Sequence, residues 1–386
     1  MNDQLSGQLD LGRLFDVSTA QGLVESLNLR GAATAHDENA ICATIGSLRF
    51  NDDELVNTAQ KFGPAAGFLS AWKSHGVNAV SQVRGAYALA IVDASRKSVF
   101  LAVDRFAVQT LCYCLDGQEL SFSDRADCVE GRGNELDAQA IFDYLFFHMI
   151  PAPRTIFRKV RRLPAGHGLL IDESGVREIR HWPLTFDEQH REPFPVARNT
   201  FRKLIRDSVV EEVSGHKRVG AFLSGGTDSS TVAGMLCEVT GAPAPSYSIG
   251  FEAEGYDEMG YARLAARHFG CEHHEYYVTP ADLVASIPAV AQHYDQPFGN
   301  SSALPAYYCA KMAKADGCTK MLAGDGGDEL FGGNSRYATQ RMFEFYHGVP
   351  RAIRRMIEPM CGDDSLVRRI PGLRQAAGYV RHSRVE

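Results

Sequence analysis

Leu223-Ser224-Gly225-Gly226-Thr227-Asp228-Ser229-Ser230, directly after Val219-Gly220-Ala221-Phe222, is the stretch on which the fold of this chain turns. The apolar run Val219 to Leu223 predicts a buried strand and Ser229 to Glu238 a helix, so the serine and glycines lie where a strand turns into a helix. Glycines at such a turn let backbone N–H groups curl around an anion, the hydroxyls add donors, and the helix N-terminus adds favourable partial charge. The pattern reads as a phosphate cradle, and it lacks the Gly-Lys-Ser/Thr ending of a Walker A loop. Asp228 would repel a polyphosphate unless a divalent cation lay between them, which implies magnesium. The plain alternative is a strand–Gly-Gly–helix turn with no ligand.

About 95 residues later comes Leu322-Ala323-Gly324-Asp325-Gly326-Gly327-Asp328-Glu329-Leu330-Phe331-Gly332-Gly333, after a predicted short strand at Lys320 to Ala323. A glycine-rich acidic loop packs poorly and meets a cation well; its plain reading is a solvated turn. In an α/β sheet, ligands lie outside the carboxyl ends of the strands, where both loops would sit. Asp228 and Asp328 are thereby expected to face one magnesium ion.

Outward from these loops, strands and helices alternate. Ser246 to Phe251 predicts a strand, followed by a helix that Asp257 can cap and Gly270 can end. Glu275 to Val278 predicts a third strand, and Thr279-Pro280 a cap with proline at the first helical position. A further helix runs from after Ser302 to about Ala315. This is a doubly wound α/β layout with a parallel sheet. Before residue 195 the texture is different: Gly85 to Asp93 and Ser98 to Val103 predict a hairpin buried on both faces, with further strands at Thr110 to Cys114, Leu120 to Phe122 and Gly168 to Ile171. That half is expected to be an antiparallel, layered α+β domain. The polar, proline-bearing stretch Pro183 to Pro195 is the expected linker, giving domains 1–185 and 186–386.

Composition narrows the partners. With 386 residues, 40 basic against 47 acidic and a net charge of −7, the chain is an ordinary globular protein without the basic excess of a nucleic-acid binder. The longest apolar run, Ala86 to Val92, is too short to span a bilayer. Met1-Asn2-Asp3-Gln4 carries acid where a secretory signal carries Lys or Arg, so a cytoplasmic location is expected. Nine cysteines without a Cys-x-x-Cys pair read as buried thiols. Cys112 and Cys114, two apart on a strand, point to one face and to core packing. Cys271 with His268, His273 and His274 matches no standard zinc spacing.

These motifs carry a resemblance. Ser224-Gly225-Gly226-Thr227-Asp228-Ser229 resembles the pyrophosphate loop of the N-type ATP pyrophosphatases, and Gly324 to Gly333 resembles the second signature of the glutamine-dependent asparagine synthetase family. Tyr247-Ser248-Ile249-Gly250-Phe251 and Asp295-Gln296-Pro297-Phe298 are also similar to that family, as, more weakly, are Arg84 to Asp93 and Phe100 to Phe106. The resemblance implies an N-terminal domain like the type 2 glutamine amidotransferases, an Ntn-hydrolase-like sandwich in degenerate form, and an adenine nucleotide alpha hydrolase-like C-terminal domain. It implies ATP and Mg2+, with Ser224, Gly225, Gly226 and Ser229 on the β- and γ-phosphates and Asp228 and Asp328 on the metal. Leu223 and Ile249 would contact adenine, and Gly324 would line the nucleotide site. Asp325, where many members have glutamate, would lie near the reacting carboxyl group. The implied reaction activates a carboxylate, by default aspartate, as an acyl-adenylate, releases pyrophosphate, and forms an amide with an amine or ammonia. A homodimer is the candidate assembly.

Two departures shape the expectation. Glutamine-hydrolysing members present an N-terminal nucleophilic cysteine; position 2 here is Asn2, the first cysteine is Cys42, and the Asn-Gly-Glu tripeptide is absent, Ile45-Gly46-Ser47 being the nearest placement. Loss of glutaminase activity is therefore expected. Members also continue past the acidic loop into a segment with a transition-state lysine; Arg336 and Arg341 are the candidate substitutes. The last 36 residues, with eight arginines and four acids, read as solvated helix faces. The alternatives are intramolecular amide formation, as in β-lactam synthetases and lasso-peptide cyclases, and an inactive nucleotide-binding paralogue or truncated product.

Overall fold

The computed structural model describes residues 4–16, 29–187, 191–252, 257–334, 337–338, 341, 344, 346 and 348–357. The chain divides into two compact units: Met1–Arg191 with Ala281–Leu304, and Glu192–Pro280 with Pro305–Glu386. The expected linker from Pro183 carries the division at 191, and Phe194 already begins a long helix, Phe194–Val213. The segment Ala281–Leu304, which the sequence places among the α/β elements, packs with the first unit.

The first unit holds two antiparallel sheets. In the smaller, β1 (Ser6–Asp10) leads the order β1-β9-β8-β10, with β8 at Cys112–Asp116, β9 at Glu119–Ser123 and β10 at Arg161–Arg162. The larger runs β12-β11-β7-β6-β3-β2, from Gly175–Arg180 through His167–Asp172, Ser98–Val103, Tyr87–Asp93 and Ala40–Gly46 to Ala33–His36. The pair β4 (Arg49–Phe50) and β5 (Val83–Arg84) stands apart. Every residue of β6 and β7 is buried, and the reason lies in the alternation of the pleat. Ala88, Ala90 and Val92 pack with Leu9, Leu120 and Phe122 of the smaller sheet. Tyr87, Leu89 and Ile91 pack on the other face with Phe68 and Trp72 of the helix Pro64–His75. A strand covered on both sides needs apolar residues throughout, which is what the sequence shows. Trp72 donates its indole N–H to buried Asp93 at 2.8 Å, so both polar groups are satisfied where they are buried.

Ala281–Leu304 is fastened to this unit through polar groups. Arg162 bonds Asp295, whose carboxylate also accepts from the Ala126 amide at 2.7 Å. The Ile156 amide donates to Gln296 at 3.2 Å, and the Gly299 amide to the His148 carbonyl at 2.8 Å.

The second unit is built on a parallel sheet ordered β15-β14-β13-β16, with β13 at Val219–Phe222, β14 at Pro245–Gly250, β15 at Glu272–Tyr277 and β16 at Lys320–Leu322. Helices Thr227–Thr240 and Met259–Phe269 cover one face through Leu236, Met259, Ala262 and Ala266. On the other, Tyr247 packs with Cys309 and Ala313 of the helix Ala303–Ala315. The cap expected from Asp257 shifts by one residue: Glu258 is the N-cap and makes no side-chain cap bond, Asp257 before it accepts from the Met259 amide at 3.2 Å, and Gly270 ends that helix in the left-handed region at φ +70°. No helix among the described residues is long and apolar enough to cross a membrane.

Candidate active site

The carboxyl ends of β13 and β16 converge on the N-terminus of the helix Thr227–Thr240. β13 gives way to buried Leu223, whose amide donates to the Tyr247 carbonyl at 3.0 Å. The loop then closes on its own hydroxyls. The Ser224 amide donates to Ser229 Oγ at 3.1 Å, the two serine hydroxyls lie 2.9 Å apart, and the Gly226 amide donates to Ser224 Oγ at 3.3 Å. Gly225 has φ +84°, and a Cβ there would lie 2.5 Å from the backbone of Tyr261 and Ala262, so only glycine serves. Ser229 Oγ also donates to the Gly226 carbonyl at 3.2 Å, so the hydroxyls and the Gly226 amide satisfy one another in a turn at a helix N-terminus, where a bound anion would take over those bonds.

The acidic loop leaves β16 and lies against that same terminus. A Cβ on Gly324 would fall 2.7 Å from the Asp228 carbonyl carbon and 2.8 Å from the Ser229 amide nitrogen. A Cβ on Gly327 would fall 2.4 Å from Asp228 Oδ2. These contacts bring the backbone of Asp328, one residue on, within about 8 Å of the Asp228 carboxylate. Asp328 lies in the first turn of the short helix Gly327–Phe331, and its carboxylate rests against Gly333, where a Cβ would meet Oδ1 at 2.5 Å. Asp325 is exposed in the turn between them.

Of the residues singled out from sequence, Ser224, Gly225, Gly226, Asp228, Ser229, Gly324, Asp325 and Asp328 thus share one pair of abutting loops. Leu223 lies one residue beyond Phe222 and Ile249 two beyond Tyr247, near the ends of adjacent strands in which Phe222 pairs with Tyr247. Arg336 lies outside the described residues, as do Asn2 and residues 358–386; Arg341 is exposed. Among the described residues no cluster of three or more His, Cys, Asp or Glu side chains is arranged for a metal ion. A pair of carboxylates beside a glycine-rich turn at a helix N-terminus nonetheless suits magnesium, which takes its other ligands from water and other oxygens. A groove of about 790 Å³ at the far end of the helix, lined by Cys237, Gly241 and Phe269, includes none of these residues.

Two polar residues behind the site were not anticipated. Ser248 is buried, donates its hydroxyl to the Leu223 carbonyl, and lies 2.8 Å from His273 Nε2. Burial holds the His273 imidazole below its ordinary range. Ser248 lies within the segment Tyr247 to Phe251, where a second serine, Ser246, is buried as well, and its partner comes from another strand.

In the first unit, Cys42 is fully buried in β3 and burial drives its thiol far up. Cys112 and Cys114 are buried together with Val129 and Val160, and burial pushes the Cys112 thiol up to about 11. Such thiols are packing groups rather than nucleophiles.

Residues 200–384 match the asparagine synthase family model, and residues 58–182 the glutamine amidotransferase domain. A putative asparagine synthetase [glutamine-hydrolyzing] 2 of Methanocaldococcus jannaschii is 31% identical over 294 residues, covering 74% of this chain and 56% of that protein. Asparagine synthetase [glutamine-hydrolyzing] 1 of Bacillus subtilis is 28% identical over 295 residues, covering 75% and 46%. Amidase chyE of Penicillium rubens is 24% identical over 365 residues, covering 84% and 52%. The chain spans about half the length of the curated relatives it matches.

Proposed function

The chain belongs to the asparagine synthetase family, and from that premise we propose that it is an ATP-dependent amide ligase that activates a carboxylate, by default aspartate, as an acyl-adenylate and then passes it to ammonia or an amine. The observation that carries this reading is the close approach of Gly324 and Gly327 to Asp228, which joins the phosphate cradle to the acidic loop.

In this reading the Gly225 and Gly226 amides and the Ser224 and Ser229 hydroxyls receive the β- and γ-phosphates, and the helix N-terminus adds its partial positive charge. The turn that carries these donors is built before the reaction; passing from one another to the phosphates, they would stabilise charge as it develops on the departing pyrophosphate. Leu223 and Ile249 form the edge against which adenine lies. Asp228 and Asp328 would hold magnesium, which when bound supplies Lewis-acid stabilisation of the phosphate oxygens. Asp325, on the exposed turn, would meet the second substrate.

Nitrogen would arrive as ammonia or an amine and not by glutamine hydrolysis, a reading supported by the burial of Cys42, Cys112 and Cys114. Exchange of labelled pyrophosphate into ATP tests the reading. Exchange stimulated by aspartate, with AMP released when ammonia is added, would support it. Exchange that requires an amino-acid derivative or peptide would favour intramolecular amide formation. Binding of ATP and magnesium without any exchange would replace both with an inactive nucleotide-binding protein.

A further inference from the structure

Ser248 has one hydroxyl proton and faces two acceptors. Its Oγ is hydrogen-bonded to the Leu223 carbonyl and lies 2.8 Å from His273 Nε2. The other ring nitrogen, Nδ1, is 3.4 Å from Glu275 Oε1, and Glu275 is held by Arg263 through Nε at 2.8 Å and Nη2 at 2.6 Å. Ser248 is 3% exposed and the His273 side chain 11%, so water competes little for these bonds. The chain of contacts ends at Leu223, the last residue before the phosphate cradle.

We propose that His273 is a positioning residue for the nucleotide site: its ring decides whether the Ser248 proton goes to the Leu223 carbonyl or to His273 Nε2, and so whether the strand end that carries the cradle is held. The inference rests on the nucleotide-binding reading of the cradle. When the ring is charged, Nε2–H donates to Ser248 Oγ, Nδ1–H faces Glu275, and the hydroxyl is free to donate to Leu223. When the ring is neutral it has one proton, which the Glu275 carboxylate draws to Nδ1; Nε2 then competes with Leu223 for the hydroxyl. The groups facing the ring are Glu275 and His274 on its own strand, Arg263 from the helix Met259–Phe269 and Ser248 from β14. Burial moves the change down from the ordinary imidazole range.

The affinity of the full chain for ATP with magnesium, measured by calorimetry from pH 5 to 8.5, tests this beside His273→Gln and Ser248→Ala. Titration of ATP itself is common to all three proteins and cancels in the comparison. The wild type is expected to bind about three- to tenfold more weakly above the step than below it, the worth of one hydrogen bond. Both variants are expected to lack that step. Imidazole nitrogen shifts in labelled wild-type protein should place the neutral-state proton on Nδ1, and the Ser224 amide resonance should move with the same midpoint. A step of unchanged size in His273→Gln, or a neutral ring protonated on Nε2 with an unmoved Ser224 amide, would overturn the proposal. If the wild type bound no ATP at any pH, the nucleotide reading would fall, while the two resonances would still decide the switch.

Discussion

Asp228 Oδ2 occupies the space that a methyl group on Gly327 would need, 2.4 Å from the Cβ position. Gly327 is helical and carries no positive φ, so alanine suits its backbone. Gly327→Ala should therefore fold normally and displace the carboxylate by a fraction of an ångström or more. Misplacement on that scale costs up to about 100-fold in rate. Pyrophosphate exchange should fall at least about tenfold with the melting temperature nearly unchanged; full activity would show that Asp228 need not sit where it does.

Asp228→Asn keeps the size of the side chain and removes its charge. The cradle's own donors remain, so weak nucleotide binding should persist while exchange drops by about 100-fold or more. Raising magnesium tenfold should recover little. Equal exchange by variant and wild type at saturating ATP would take the carboxylate out of the reaction.

Gly225 presents the opposite case to Gly327. Its φ of +84° and the backbone of Tyr261 and Ala262 at 2.5 Å leave no room and no escape. Gly225→Ala is expected to cost more than about 2 kcal/mol in stability, from left-handed strain plus overlap, and urea denaturation of the two glycine variants side by side gives the comparison.

Asp295 sits in a predominantly buried pair with Arg162, the two side chains 14% and 17% exposed. Asp295→Ala leaves the guanidinium without its partner and should destabilise the first unit by about 3 kcal/mol. Arg162→Met in the same chain should return much of that loss, because the unpaired charge goes too. A second substitution that recovers nothing would show that the Ala126 amide is the more important partner.

Thiol labelling should follow burial. Cys128 is exposed and should react in the native protein, whereas Cys42 and Cys112 should react only in denaturant. A diazo-ketone analogue of glutamine should leave all three unmodified; its covalent capture at a cysteine would contradict the loss of glutamine hydrolysis.

Much of this architecture could be read from the residues in order. The hairpin β6–β7, the strand–cradle–helix junction, the proline opening the helix at Pro280 and the glycine closing the one at Gly270 are all written locally. Their causes act within a few residues: apolar periodicity, a preset φ, a freed left-handed conformation. The two loops of the site were equally visible, since glycines beside carboxylates make poor packing and good anion or cation chemistry wherever they occur.

Other features have no local cause. Ser248 acquires His273 because β14 and β15 pair in parallel with Ser246 opposite His273, and a shift of one residue would send either side chain to the other face. Asp228 meets Gly327 because β13 and β16, distant in sequence, are neighbours in the sheet. Asp295 pairs with Arg162 across 133 positions of chain, carrying Ala281–Leu304 out of the α/β run and onto the first unit. Periodicity tells each segment which face to bury, but the choice of partner depends on register and on the free energy of packing the whole chain, and those are settled only when it is folded.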